Sequence, residues 1–74
     1  MISEELKYRA QDYLTKREAQ ELDHTDPALN YYRSEAHESL IIQMDIEGIP
    51  YTDREHAAEL ARAIVAGDSL PGSR

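Results

Sequence analysis

Three histidines, His24, His37 and His56, are the first side chains to weigh for chemistry, because histidine both ligates metals and titrates near neutrality. A structural zinc site groups its ligands by about two to five residues. Here the histidines are 13 and 19 positions apart, and the sequence holds no cysteine to join them. The spacing therefore predicts a loop histidine at His24, an exposed helix histidine at His37 and a histidine beside a helix cap at His56, with no metal and no cofactor. Acid–base catalysis needs a poised group in a pocket. Glu47 is the carboxylate that stands out, because a helical wheel puts it in line with Leu29, Ala36 and Leu40; Gln43 lies on the same face. A rim position explains both residues, and three short helices rarely enclose a pocket. Gly48, Gly67 and Gly72 are isolated, so no loop cradles a phosphate. No catalytic activity is expected.

The remaining chemistry is that of contact surfaces. Tyr8, Tyr13, Tyr31, Tyr32 and Tyr51 are the only aromatics. Tyr13 and Tyr32 read as core, whereas Tyr31 falls on the far side of its helix and Tyr8 off the main apolar stripe. Exposed tyrosines favour protein contacts, because a large apolar ring carries a hydroxyl that can stay wet. Fifteen acidic and eight basic residues leave a net charge of −7 over 74 residues. That balance disfavours direct nucleic-acid binding, which depends on Lys and Arg displacing counterions. It leaves two readings of the acidic surface: a solvated face, or a mimic of nucleic acid. The densest acidic stretches are Glu18-Glu21-Asp23-Asp26 and Glu35-Glu38. No apolar run approaches the ~20 residues of a membrane span. The opening Met1-Ile2-Ser3-Glu4-Glu5 has neither the basic start nor the apolar middle of a signal peptide, which points to the cytoplasm.

The elements that must position these residues are helices. Three segments rich in Glu, Gln, Ala, Leu, Arg and Lys are separated by Asp26-Pro27 and Gly48-Ile49-Pro50, and a tail follows Gly67. The pattern predicts an all-α, three-helix bundle in one domain over residues 1–70, with helices at about 3–23, 26–47 and 52–66 and a flexible tail over 71–74. Ser3 and Asp26 are expected N-caps, the second followed by Pro27 at the first helical position. Thr52 and Glu55 have capping-box spacing, with Tyr51 before the cap able to pack on His56. Gly48 and Gly67 are expected to end their helices in the left-handed conformation. Leu70 is expected to fold back on the bundle. The first helix carries Leu6, Ala10, Tyr13, Leu14 and Leu22 as an apolar stripe, but its second half is polar nearly all round. The expected core is Leu6, Ala10, Tyr13, Leu14, Leu29, Tyr32, Ala36, Leu40, Met44, Ala57, Leu60, Ala61, Ile64 and Val65, with Ala58 on the same face of the third helix.

The second helix has an excess of apolar surface. Leu29, Tyr32, Ala36, Leu40 and Met44 share one face. Ile42 and Ile46 fall to one side of it and Ile41 to the other, so from Leu40 to Ile46 the helix is apolar over most of its circumference. Two helices cannot bury that much. Either this helix is the centre of the bundle or it presents a surface to another chain.

The segment Ile46-Glu47-Gly48-Ile49, followed by a capped helix and then by Val65-Ala66-Gly67-Asp68, resembles the small helical antitoxins that inhibit Fic-type AMP transferases. The likeness covers about residues 36–69. In that family a glutamate followed by glycine ends an inhibitory helix, and a Ser or Thr stands four residues before the glutamate. Gln43 occupies that place here, and an extra helix precedes the motif. The resemblance implies obstruction: Glu47 would enter the toxin's active site, pair with an arginine and prevent productive placement of the ATP γ-phosphate.

These readings predict a small acidic, non-enzymatic protein that acts by binding another protein through Tyr31, Ile41, Ile42, Ile46 and Glu47. It would be an inhibitor or antitoxin-like modulator of the kind phages and mobile elements encode. The alternatives are a homodimer formed through Leu40–Ile46 and an acidic nucleic-acid mimic.

Overall fold

The structure is a computed structural model that describes residues 2–67. Three α-helices form: α1 (Glu4–Leu22), α2 (Pro27–Ile46) and α3 (Arg54–Ala66). The tail and Leu70 lie outside the described residues. No described helix is long and apolar enough to cross a membrane.

Each helix starts where a side chain can satisfy a free backbone amide. Ser3 Oγ accepts from the Leu6 amide and Asp26 Oδ1 from the Ala28 amide. For α3 the cap is Asp53, not Thr52: Asp53 Oδ1 accepts from the His56 amide at 2.8 Å. The Thr52 amide instead donates to His56 Nδ1 at 3.0 Å. The cap thus falls one residue later than the Thr52–Glu55 spacing predicts, and the third helical residue, His56, reaches back to the amide before the cap and not to the cap's own, so the box is only half formed. Glu55 is freed to pair with Arg17 at 2.9 Å. Tyr51, no longer adjacent to the cap, packs against the hydrophobic core.

The helix ends follow the glycines. Gly48 has φ +73°, the Gly48 amide donates to the Asp45 carbonyl, and the Ile49 amide donates to the Met44 carbonyl at 2.9 Å. This is a complete Schellman closure, and Ile49 carries its apolar contact into the core. Gly67 ends α3 at φ +80°.

Both α2 and α3 pack on α1, while α2 and α3 barely touch each other. The helix at the centre of the bundle is therefore α1, not α2. Side-chain pairings fix the directions. Ser3 meets Glu47, Arg9 meets Ser39 and Gln20 meets Arg33, so α2 runs antiparallel to α1. Arg17 meets Glu55, and Val65 lies beside Tyr8, so α3 is antiparallel to α1 as well. The connection from Glu47 to Asp53 must then return along most of α1, a rise of about 20 Å at ~1.5 Å per residue. Glu47 and Gly48 turn the chain, and the residues from Ile49 to Asp53 make the crossing. Ile49 and Tyr51 anchor this crossing strap on the core.

The core is wholly apolar: Leu6, Ala10 and Tyr13 from α1, Ala36, Leu40 and Met44 from α2, and Ala57, Ala58, Leu60, Ala61 and Ile64 from α3. The alanines let α3 approach closely. Four expected core positions differ. Leu14 and Leu29 are half-buried, while Tyr32 is 49% and Val65 39% exposed. Leu22, read as part of the α1 stripe, is 82% exposed. For Leu22, Leu29 and Tyr32 the cause is shared, whereas Leu14 sits at the edge of the core beside Arg62 of α3. No residue from Leu14 through Glu35 is fully buried, and α3's first turn meets α1 at Arg17. Beyond it α1 and α2 continue as a two-helix tip, and the molecule is elongated, 41 × 22 × 19 Å.

Candidate functional site on the outer face of the second helix

Glu47 sits at the C-cap of α2, on the side that faces α1. Its carboxylate is held within the chain by three hydrogen bonds. Ser3 Oγ donates to Glu47 Oε2 at 2.5 Å, Gln43 Nε2 donates to the same oxygen at 2.6 Å, and the Ser3 amide donates to Oε1 at 3.3 Å. The Gln43 and Ser3 hydrogen bonds hold the carboxyl below the usual carboxylate range. Ser3 thereby performs two tasks with one hydroxyl, capping α1 as acceptor and clasping α2 as donor. No local pattern announces this clasp, because its partners are 44 positions apart.

His37 is half-buried, not exposed. Its ring lies 5.6 Å from that of Tyr13, tilted by 57°. Its buried Nε2 has no hydrogen-bond partner. Burial lowers its pKa, and Arg54 and Arg33 push it further down, against a weaker pull from Glu38. Such a histidine stays neutral at physiological pH. Among the described residues no three His, Asp or Glu side chains gather as a metal site.

The outer face of α2 has a different character. Tyr31, Ile42 and Ile46 fall within about 60° of one another at ~100° per residue, directed away from α1. They are 58%, 53% and 71% exposed. Glu35 and Glu38 lie between them on the same stripe, and both are exposed. The Tyr31 hydroxyl donates to Glu35 Oε2 at 2.7 Å, which raises the pKa of the phenol. Ile41 stands on the flank and is half-buried. Of the five residues predicted to bind a partner, the structure thus gathers Tyr31, Ile42 and Ile46 on one face, sets Ile41 beside it and turns Glu47 to the opposite side. The sequence reading assigned Tyr32 to the core. It instead packs edge-on against Tyr31, with ring centroids 5.8 Å apart, and widens the apolar end of the face.

A second surface feature escaped the sequence reading. Glu4, Lys7, Tyr8 and Gln11 of α1 and Val65 of α3 line an open depression. Its signal was Tyr8, which falls off the main stripe of α1.

Physically, the α2 face is suited to burying apolar surface. Covering Ile42 and Ile46 would contribute about 1–2 kcal/mol each, at ~25 cal/mol per Å². No pair of titratable groups converges on an enclosed pocket there. Comparison with known proteins yields no match: no protein-family model fits the chain, and neither a curated protein nor a solved structure is similar to it.

Proposed function

We propose that this protein acts without catalysis, by docking the outer face of α2 on another protein as an inhibitor or antitoxin-like modulator. One observation carries the reading. The chain closes a fully apolar core without Ile42 and Ile46, yet holds both one turn apart in water. Isolated exposed apolar residues are ordinary. Ile42 and Ile46 are neighbours on one stripe that also carries Tyr31 beyond Glu35 and Glu38, and clustered exposed apolar side chains of this kind favour a contact site.

The double substitution Ile42→Asp, Ile46→Asp tests it. Far-UV helicity and the denaturation midpoint are expected to stay near wild type, while a protein co-purifying with the wild-type chain is lost. Retention of that protein would refute docking through this face. Loss of helicity would return the two isoleucines to the chain's own fold.

The antitoxin form of this reading makes a narrower demand. For Glu47 to obstruct a nucleotide site, its carboxylate must leave Ser3 and Gln43, which hold it against α1, and turn to an arginine of the toxin. Under that mechanism Glu47→Gly releases a co-expressed AMP transferase and restores its toxicity. Ser3→Ala, which frees the carboxylate, leaves inhibition intact.

A further inference from the structure

We infer that the outer face of α2 takes a cationic amphipathic helix of its partner, with apolar residues at both ends of the contact and Lys or Arg between them. The inference rests on the docking reading above and specifies the occupant. Tyr31, Glu35, Glu38, Ile42 and Ile46 follow one another by three or four residues, so they form a single stripe along the helix. From Tyr31 to Ile46 the stripe is about 22 Å long at ~1.5 Å per residue, which a facing helix of about four turns would cover. Its ends are apolar and its middle is acidic. Asp45 adds a further exposed carboxylate beside the isoleucines. The only Lys or Arg in α2 is Arg33, which turns toward α1 and donates to Gln20 Oε1 at 2.6 Å. The stripe therefore carries acids with no cation of α2 to pair them; Lys16 of α1 is within electrostatic reach of Glu35 but is held by Asp12 at 2.8 Å.

Charge decides between the candidate occupants. A second copy laid antiparallel, Tyr31 against Ile46, would set the two Glu38 side chains side by side and each Glu35 over an Ile42. A parallel pair would set like glutamates directly opposite. Neither arrangement supplies a positive group, and each chain brings a net charge of −7. Desolvating unpaired carboxylates is costly, and like charges in register add to that cost. A helix with Lys or Arg in its central two turns meets Glu35 and Glu38 with charge-assisted hydrogen bonds instead. The Tyr31 bond to Glu35 does not prevent this, since a carboxylate accepts several donors.

The test is selection of a phage-displayed library of 16-residue helix-forming peptides, randomised on one face, against the immobilised full-length chain. Recovered peptides are expected to carry Lys or Arg at the centre and apolar or aromatic residues at both ends. In fluorescence anisotropy they should lose binding to the Ile42→Asp, Ile46→Asp chain. The Glu35→Gln, Glu38→Gln chain should bind them about 5- to 20-fold more weakly at low salt, with the gap narrowing as salt rises. That second variant keeps the test decisive if the aspartate substitutions disturb folding. Neutral or acidic peptides that still require Ile42 and Ile46 would overturn the cationic inference and leave the docking reading standing. Peptides that ignore all four substitutions, or no enrichment at all, would overturn both. Equilibrium sedimentation showing a dimer that dissolves in the isoleucine variant would assign the face to a second copy and overturn the cationic occupant.

Discussion

The two ends of this molecule use the same local devices but differ in what supports them. At one end, the N-terminal half of α1, the second half of α2 and all of α3 enclose every fully buried residue of the described chain. At the other, from Leu14 to Glu35, there are none, and past Arg17 two helices and a tight turn continue as the tip. Both ends have a capped helix start. Ser3 at the three-helix end also holds Glu47, whereas Asp26 at the tip caps α2 and nothing more. The contrast teaches that helix signals decide where a helix begins, while a third layer decides how firmly it is held.

Core substitutions should expose the contrast most strongly. Leu40→Ala or Ile64→Ala is expected to cost about 2–5 kcal/mol, enough to unfold much of so small a domain at room temperature. Leu22→Ala at the tip should stay within about 0.5 kcal/mol of wild type. Urea denaturation followed by far-UV circular dichroism measures both, and equal losses would erase the distinction between the ends.

The two caps provide a matched pair of smaller effect. Ser3→Ala should approach ~2 kcal/mol, the upper end for a lost N-cap, because the Glu47 clasp goes with it. Asp26→Ala should cost ~1 kcal/mol or less. A reversed order in thermal denaturation would show that the clasp contributes nothing. Gly48→Ala belongs between them, at about 1 kcal/mol. Its Cβ would meet no neighbour within 4 Å, so the penalty is that of a non-glycine residue at φ +73°.

Hydrogen exchange sharpens the same comparison without mutation. Amides from Glu18 to Arg33 are expected to exchange through local opening, and those around Leu40 to Met44 and Ala58 to Ile64 only through global unfolding. Uniform protection across α1 would contradict this.

The smallest expected effect is a dependence on pH. His37 has a lowered pKa in the folded chain, so on acidification the unfolded chain takes up its proton first, near the ordinary value of 6.5. Stability should therefore hold above neutrality and decline as the pH falls through that value toward the folded pKa. Glu47, also lowered, contributes stability that is present above its ordinary value of 4.5 and is lost on further acidification. Melting temperatures from pH 8 to about pH 2 should show the upper decline removed by His37→Phe and the lower one blunted by Glu47→Gln. An unchanged upper decline in His37→Phe would exclude the buried ring as its source.

Much of the fold was legible because its signals are local. Ser3, Asp26-Pro27, Gly48 and Gly67 each act within one helical turn. The acid-before-base pairs Glu5–Arg9 and Asp12–Lys16 form as their i,i+4 spacing predicts, at 2.9 and 2.8 Å. The exposure of Tyr31, Ile42 and Ile46 was legible too, since it follows from an apolar excess on one helix. The misreadings share a different origin. Tyr32, Leu22 and Leu29 lie along the two-helix tip beyond Arg17, where α3 begins. The pattern of α2 alone makes His37 a surface residue; α1 brings Tyr13 against it.

The sequence by itself determined that this chain makes three capped helices, that the second has more apolar surface than its core stripe requires, and that the whole carries excess negative charge. These properties depend on residues within a few positions of each other, where backbone geometry fixes which side chains are neighbours. Only the tertiary structure decided that α1 is the central helix, that Glu47 is spent on Ser3, and that the core stops at Tyr13 and Ala36. Those outcomes depend on the direction of the crossing strap and the length of α3, which bring together groups far apart in the chain that no local pattern links.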